Sequence, residues 1–328
     1  MISLETTYMG LKLKNPIIVG SSGLTNSVDN VIELEKNGAG AVVLKSLFEE
    51  QINFMSGKTF EEGDFSNLYP EAQDYIHNYT KENDLNTYLD LIKACKRNVN
   101  IPIIASINCI SDNDWMNFAI QIEKAGADAI ELNIFVLPSN MQKTGLENEK
   151  VYFDIANKIT SLVKIPVAIK LSYYFSSLAK SIVMLSWTNI KGLVLFNRFF
   201  SPDIDINQME IKSSNVFSSP SDLSVSLRWI AMLSDDVKCD IAASTGVHSG
   251  VAVIKQLLAG AQVVQIVSVL YKKGFKEIGI MLHEIESWME KKNYNSIDEF
   301  RGKMSVEHSN SAAAWERVQF MKYFSGIE

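Results

Sequence analysis

Short apolar runs alternate along the chain with longer stretches in which apolar residues recur every three to four positions. The short runs cover residues 16–20, 41–44, 101–107, 129–133, 167–171, 192–196, 239–243 and 263–267. Each is short, largely aliphatic and often β-branched, the pattern of a strand covered on both faces in a parallel sheet. Between most of them, residues 28–37, 85–97, 114–125, 150–163, 176–186, 222–233 and 250–259 have helical periodicity. Gly-Ala pairs at 38–39, 126–127 and 260–261 precede three of the strands. Eight buried strands alternating with helices predict an α/β fold, a closed (β/α)8 or TIM barrel. A doubly wound open sheet is the alternative, and the strand count favours closure.

Two connections break the alternation. Residues 46–82 and 198–221 are long, polar and aromatic, and both follow strands, so they are expected as long loops at the C-terminal mouth of the barrel, as lids or as disordered segments. After the eighth strand a long surface helix is expected over 272–292 and a shorter one over 297–304. With no repeat of solenoid length and no low-complexity linker, residues 1–328 read as one domain, with 272–328 as its C-terminal helical extension.

Composition narrows the function classes. In 328 residues, 47% of them hydrophobic, a barrel of about 250 residues with decorations has ample core. The net charge of −7 is spread over mixed segments without a basic stripe, which argues against nucleic acid as a partner. Cys95, Cys109 and Cys239 have neither the count nor the spacing of a disulfide frame or metal site, so no metal is expected. The first residues carry no basic-then-apolar leader, and no apolar run approaches the ~20 residues of a membrane span. A reduced, cytoplasmic protein is expected.

Candidate chemistry gathers at the strand ends. Lys45 follows the second strand, Lys170 ends the fifth between aliphatic neighbours, and Asn108, Asn133 and Asn197 end the third, fourth and sixth. A lysine in such an apolar run needs a partner or must project from the barrel mouth. Fixed nitrogen donors suit a ring that becomes electron-rich, such as a reduced flavin; the asparagines are otherwise ordinary turn residues. The small-residue turns at 244–246 and 267–268 follow the last two strands, where barrels commonly bind a phosphate. A tight turn before a helix is the plainer reading of Ser244-Thr245-Gly246.

In order and spacing, 11–24, 44–46, 104–108, 127–133, 165–172, 192–197 and 244–270 resemble the dihydroorotate dehydrogenase family of FMN-dependent barrels. The resemblance implies that Ser21, Ser22, Gly23, Lys45, Ser46, Asn133, Lys170 and Phe196 hold the flavin. Thr245, Gly246, Val267 and Ser268 would offer backbone N–H groups to its phosphate. Asn133 and Asn197 would contact the substrate; Asn67 is a further substrate candidate, and Arg198, on its own chemistry, is either a bidentate holder of a substrate carboxylate or a solvated loop cation. In the family a hydride passes from the substrate to flavin N5 while a Cys or Ser base takes a proton.

The chain departs from that pattern at the base. Val136 stands three residues after Asn133 and Leu137 precedes Pro138, so neither candidate position can accept a proton. Phe65 replaces an asparagine of the substrate loop, with Asn67 close by. The paired glycines of the phosphate cup are reduced to Thr245-Gly246, and Val267 stands for the glycine of the last turn. Ser139 is the substitute base the loop offers, ahead of Cys109 and His248. Lys170, Lys45 and Ser139 are therefore the catalytic candidates. The readings left open are dihydroorotate oxidation in pyrimidine biosynthesis, a flavoprotein of the same fold with another small substrate, and a barrel lyase using a Lys170 Schiff base or a scaffold without turnover. A soluble electron acceptor or a partner subunit is expected, and the resemblance implies a homodimer.

Overall fold

The computed structural model describes residues 2–49, 85–110, 116–198, 201–214, 216–309 and 315. Its strands are β1 (Thr6–Tyr8), β2 (Leu11–Leu13), β3 (Ile17–Val19), β4 (Ala41–Val43), β5 (Leu47–Phe48), β6 (Ile103–Cys109) and β7 (Ala129–Ile134), followed by β8 (Val167–Leu171), β9 (Gly192–Leu195), β10 (Ser201–Asp205), β11 (Glu210–Ser214), β12 (Asp240–Ala243) and β13 (Val263–Ile266). Eight of them run parallel in the order β4-β3-β13-β12-β9-β8-β7-β6, and β4 pairs with β6 to close the barrel. The open-sheet alternative is thereby removed.

The helices are α1 (Val28–Lys36), α2 (Leu85–Asn98), α3 (Met116–Ala125), α4 (Gly145–Leu162), α5 (Leu178–Ser186), α6 (Leu223–Leu233), α7 (Gly250–Ala259), α8 (Ser268–Lys273) and α9 (Glu277–Lys292). The large outer core lies between strands and helices, while Ile18, Val43, Ala129, Ala168, Val194 and Ala242 fill the barrel interior. The antiparallel hairpin β1–β2, absent from the sequence expectation, supplies Tyr8, Met9 and Leu13 to that interior. Gly192 is required there, since a Cβ on it would stand 2.8 Å from the Tyr8 hydroxyl.

Several boundaries move for identifiable reasons. The third barrel strand spans Ile103–Cys109 rather than 101–107 because Pro102 has no N–H for the ladder. Helix α4 begins five residues before the expected 150, where Thr144 and Glu147 form a reciprocal capping box. The expected 272–292 helix is two, α8 and α9, broken at Gly274 with φ +84°. In place of a helix over 297–304 there is one 3-10 turn, Ile297–Glu299; the following backbone is tied to α7, with the Gly302 and Met304 N–H groups donating to Leu257 and Leu258 carbonyls. The 198–221 connection contains the antiparallel hairpin β10–β11, in which Ile204 faces Ile211. Of the 46–82 connection, Leu47–Phe48 form β5 beside β6; most of the rest, with Asn67, lies outside the described residues.

Candidate active site

The strand ends converge on a cavity of about 220 Å³ lined by Ser21, Lys45, Ser46, Phe48, Asn108, Glu131, Asn133, Lys170 and Asn197. Seven of the sequence-selected residues, Ser21, Lys45, Ser46, Asn108, Asn133, Lys170 and Asn197, are thus brought together. Lys170 on β8 is only 9% exposed and lies among polar partners. Its Nζ donates to Gln265 Oε1 on β13 at 2.9 Å and sits 3.7 Å from Glu131 Oε1 on β7. Gln265 Nε2 in turn donates to Glu131 Oε2. Glu131 and Gln265 are 1% and 2% exposed, so this three-residue chain crosses the barrel interior beneath the cavity.

Neither Glu131 nor Gln265 was singled out from the sequence. The available signal was the two-residue period of β7, which puts Glu131 on the same face as Asn133. For Gln265 the signal was a polar residue in an otherwise aliphatic run.

A second polar chain lines the side formed by the first three barrel strands. Ser46 N–H donates to Ser21 Oγ at 2.9 Å, the two hydroxyls are 3.0 Å apart, and Ser46 Oγ meets Ser106 Oγ at 2.7 Å. Ser22 is the N-cap of the 3-10 turn Gly23–Thr25 and accepts from Leu24 N–H. A Cβ on Gly23 would meet the Tyr271 hydroxyl at 2.8 Å, so this glycine permits a close approach between the first and last strand ends.

Asn197 also lines a neighbouring cavity of about 170 Å³, with Tyr173, Tyr174, Phe196, Arg198, Asp222, Ser244 and Thr245 among its walls. Phe196 is buried there with Tyr173 edge-on to its ring. Arg198 Nη1 donates to the Val216 carbonyl at 2.6 Å. Thr245 has φ +75°, uncommon for a β-branched residue, and its hydroxyl donates to the Phe196 carbonyl at 3.1 Å. Gly246 follows at φ +80° and packs directly on the first turn of α6.

Across the last two turns lies a strap that sequence reasoning missed. Ser218 N–H donates to Ser268 Oγ at 3.0 Å, Ser218 Oγ is 3.0 Å from His248 Nε2, and Lys272 Nζ donates to the Ser218 carbonyl at 2.8 Å. Val267 caps the start of α8 beside it. Burial, followed by the Lys272 ammonium, pushes the His248 pKa below the usual imidazole value.

The loop after β7 offers less. Val136 donates its N–H to the Tyr152 hydroxyl at 3.2 Å, and that phenol is held above its ordinary pKa chiefly by burial. Ser139 is exposed on the same loop, its N–H bonded to the Leu137 carbonyl at 2.8 Å.

Two buried acceptors, Asn133 Oδ1 and Glu131 Oε1, have no hydrogen-bond donor among the described residues. Buried polar atoms are rarely left so. Orphaned acceptors, fixed ammonium and hydroxyl donors and an adjoining compartment reaching Thr245 fit a polar heterocycle with a phosphate-bearing tail. Among the described residues, no group of three or more His, Cys, Asp or Glu side chains could hold a metal ion, and no helix is long and apolar enough to cross a membrane.

Several known proteins are similar to this chain over most of its length. Chains from Thermoplasma volcanium and Thermoplasma acidophilum, each described as dihydroorotate dehydrogenase B (NAD(+)), catalytic subunit, are 29% and 26% identical over 310 residues. These matches cover 92% of this chain in both cases, and 98% and 99% of the respective relatives. A Methanocaldococcus jannaschii chain of the same description is 25% identical over 296 residues, covering 88% of this chain and 94% of its own. The family model for dihydroorotate dehydrogenase matches residues 64–289, well over half of the sequence, and the chain belongs to the dihydroorotate dehydrogenase family.

Proposed function

We propose that this protein is an FMN-dependent oxidoreductase that oxidises dihydroorotate to orotate, the pyrimidine-forming step, as the catalytic part of a two-component enzyme. The observation that carries this reading is the Lys170 ammonium, fixed at the floor of a strand-end cavity whose rim presents Asn108, Asn133 and Asn197. Its family consists of FMN-binding flavoproteins, and the orphaned acceptors and donor set fit that cofactor. Ser21, Ser22, Gly23, Lys45, Ser46, Asn133, Lys170 and Phe196 would hold the ring, and Thr245, Gly246, Val267 and Ser268 the phosphate. Bound there, FMN supplies a two-electron acceptor.

The chain's own groups do the rest. Lys170 and Lys45 line the cavity and would place positive charge beside a flavin ring held there. Asn133, Asn197 and Asn67 would hydrogen-bond the substrate, and Arg198 would hold its carboxylate in a planar fork. Proton removal needs an acceptor, and Val136 offers none. Ser139 Oγ is the hydroxyl this loop carries, and its exposed position requires the loop to fold inward for it to act.

Because the relatives are catalytic subunits, we assign electron delivery to a separate soluble partner subunit, and a cytoplasmic homodimer of one-domain chains as the core. We also assign residues 272–328 to that domain as its C-terminal extension, a reading supported, within the described residues, by the packing of α9 on α7. A second reading, a flavoprotein acting on a different small substrate, is favoured by one observation: the apolar Val136 where the family carries its base. Reconstitution with FMN followed by anaerobic mixing with dihydroorotate separates the two. Bleaching of the flavin supports dihydroorotate oxidation; bound FMN that dihydroorotate leaves oxidised favours the second reading, and failure to bind FMN refutes both.

A further inference from the structure

Resting on the FMN reading above, we propose that Glu131 is a positioning residue that acts through Gln265 to hold the Lys170 ammonium toward the cavity and to offset part of its charge. No contact between Glu131 and the reacting atoms is implied. Three observations carry it. Glu131 is almost wholly buried, so its carboxylate depends chiefly on protein groups for its partners. One of its oxygens accepts from Gln265 Nε2, while the other has no hydrogen bond and lies 3.7 Å from Lys170 Nζ. Lys170 Nζ is hydrogen-bonded to Gln265 Oε1 at 2.9 Å and lines the cavity.

The side-chain amide of Gln265 has two chemically different ends, and its neighbours determine which way it points. Flipped, it would set its NH2 against the ammonium and its carbonyl against the carboxylate, two repulsive contacts in a poorly hydrated interior. With Glu131 ionised the amide is therefore locked, and its oxygen draws one Lys170 donor sideways. Without that spacer the ammonium and carboxylate would close on each other as a direct pair, as buried opposite charges do when geometry allows. Held apart, the ammonium keeps donors for whatever occupies the cavity. The price is a carboxylate oxygen left without a hydrogen bond.

The arrangement predicts opposite effects from two substitutions. Glu131→Gln removes the offsetting charge while still presenting a carbonyl to Gln265, so the ammonium acts at full strength on the ring. Gln265→Leu keeps both charges and removes the spacer, so the ammonium retracts onto Glu131. Sulfite is the probe: it adds to bound oxidised flavin and places negative charge on the ring, and its binding is read from loss of visible absorbance without any substrate. Charges within one side-chain length of a partly dry site change such equilibria by about tenfold or more.

The expected result is a sulfite Kd at least about tenfold lower in Glu131→Gln and at least about tenfold higher in Gln265→Leu. The sulfite titrations are run at FMN concentrations that saturate each variant, so a change in flavin affinity does not enter the sulfite Kd. Shifts of the same sign in both variants, or no shift in either, overturn the inference while leaving the FMN reading intact. A wild-type protein that binds no FMN overturns both. Should Glu131→Gln fail to fold, Gln265→Leu carries the test alone: an unchanged or lower sulfite Kd rejects the spacer role.

Discussion

Gly246→Ala is the most informative perturbation of the phosphate turn. Gly246 has φ +80°, and a Cβ there would stand 2.1 Å from Leu223 N, 2.6 Å from Leu223 Cα and 2.7 Å from Asp222 C. All three are backbone atoms at the start of α6, so no side chain can swing aside. Alanine in the left-handed region costs about 1–2 kcal/mol, and forcing an extra methyl into packed backbone adds about 1–3 kcal/mol. The sum is about 2–5 kcal/mol. Gly10 is a matched control, at φ +79° with nothing within 4 Å of its would-be Cβ, so Gly10→Ala carries only the conformational part. Denaturant unfolding followed by circular dichroism should place Gly246→Ala at least about 1 kcal/mol below Gly10→Ala, the low end of the packing cost. FMN affinity should fall in the first and hold in the second. Equal stabilities for the two variants would refute the claim that the 245–246 turn is wedged against α6.

Further outcomes follow from the buried charges and the loops. Lys170→Met leaves Glu131 buried without its counter-ion and should destabilise by about 3–5 kcal/mol, with part of the loss recovered in Lys170→Met/Glu131→Gln; a single variant as stable as wild type counts against the ion pair. His248 has a pKa below its ordinary 6.5, so the folded state binds protons less readily than the unfolded one. Its contribution is therefore complete above about pH 6.5 and is lost as pH falls through the depressed value. NMR titration of the His248 ring should give a midpoint below 6.5, rising when FMN binds if the anion lies beside it. Ser139→Ala should slow anaerobic flavin reduction by dihydroorotate by about 100-fold or more without altering FMN affinity; stopped-flow rates equal to wild type would remove Ser139 as the proton acceptor.

Much of the architecture was legible because parallel barrel strands are buried on both faces and read as short, largely aliphatic runs. All eight barrel strands fell where such runs lie, with β8 spanning the expected Val167–Leu171. Helix α7 likewise spans the expected 250–259, between the Ser249 N-cap and left-handed Gly260. Less legible were elements whose partners are far away in sequence. The hairpin β1–β2 is too short and mixed to announce itself, and β10–β11 exposes its apolar Ile204 and Ile211, contrary to the rule that apolar residues mark a core. The break at Gly274 depended on a backbone angle that composition does not encode.

The candidate site divides in the same way. Lys170 stood out in the sequence as a charge with no local reason to be in an apolar strand, and Asn133 and Asn197 as polar strand endings. Which groups answer that charge was decided only by closure of the barrel, which brings Gln265 within 2.9 Å of Lys170 across 95 positions of sequence. The strap of Ser218 over Ser268, His248 and Lys272 arises likewise, from a loop folding back on two turns 30 to 54 residues away. The sequence by itself determined where strands, helices and exceptional polar residues fall, because burial on both faces and helical period are local patterns. The tertiary structure alone decided which polar atoms meet and which remain without a partner, because hydrogen bonding over a few ångströms depends on strand register around a closed ring.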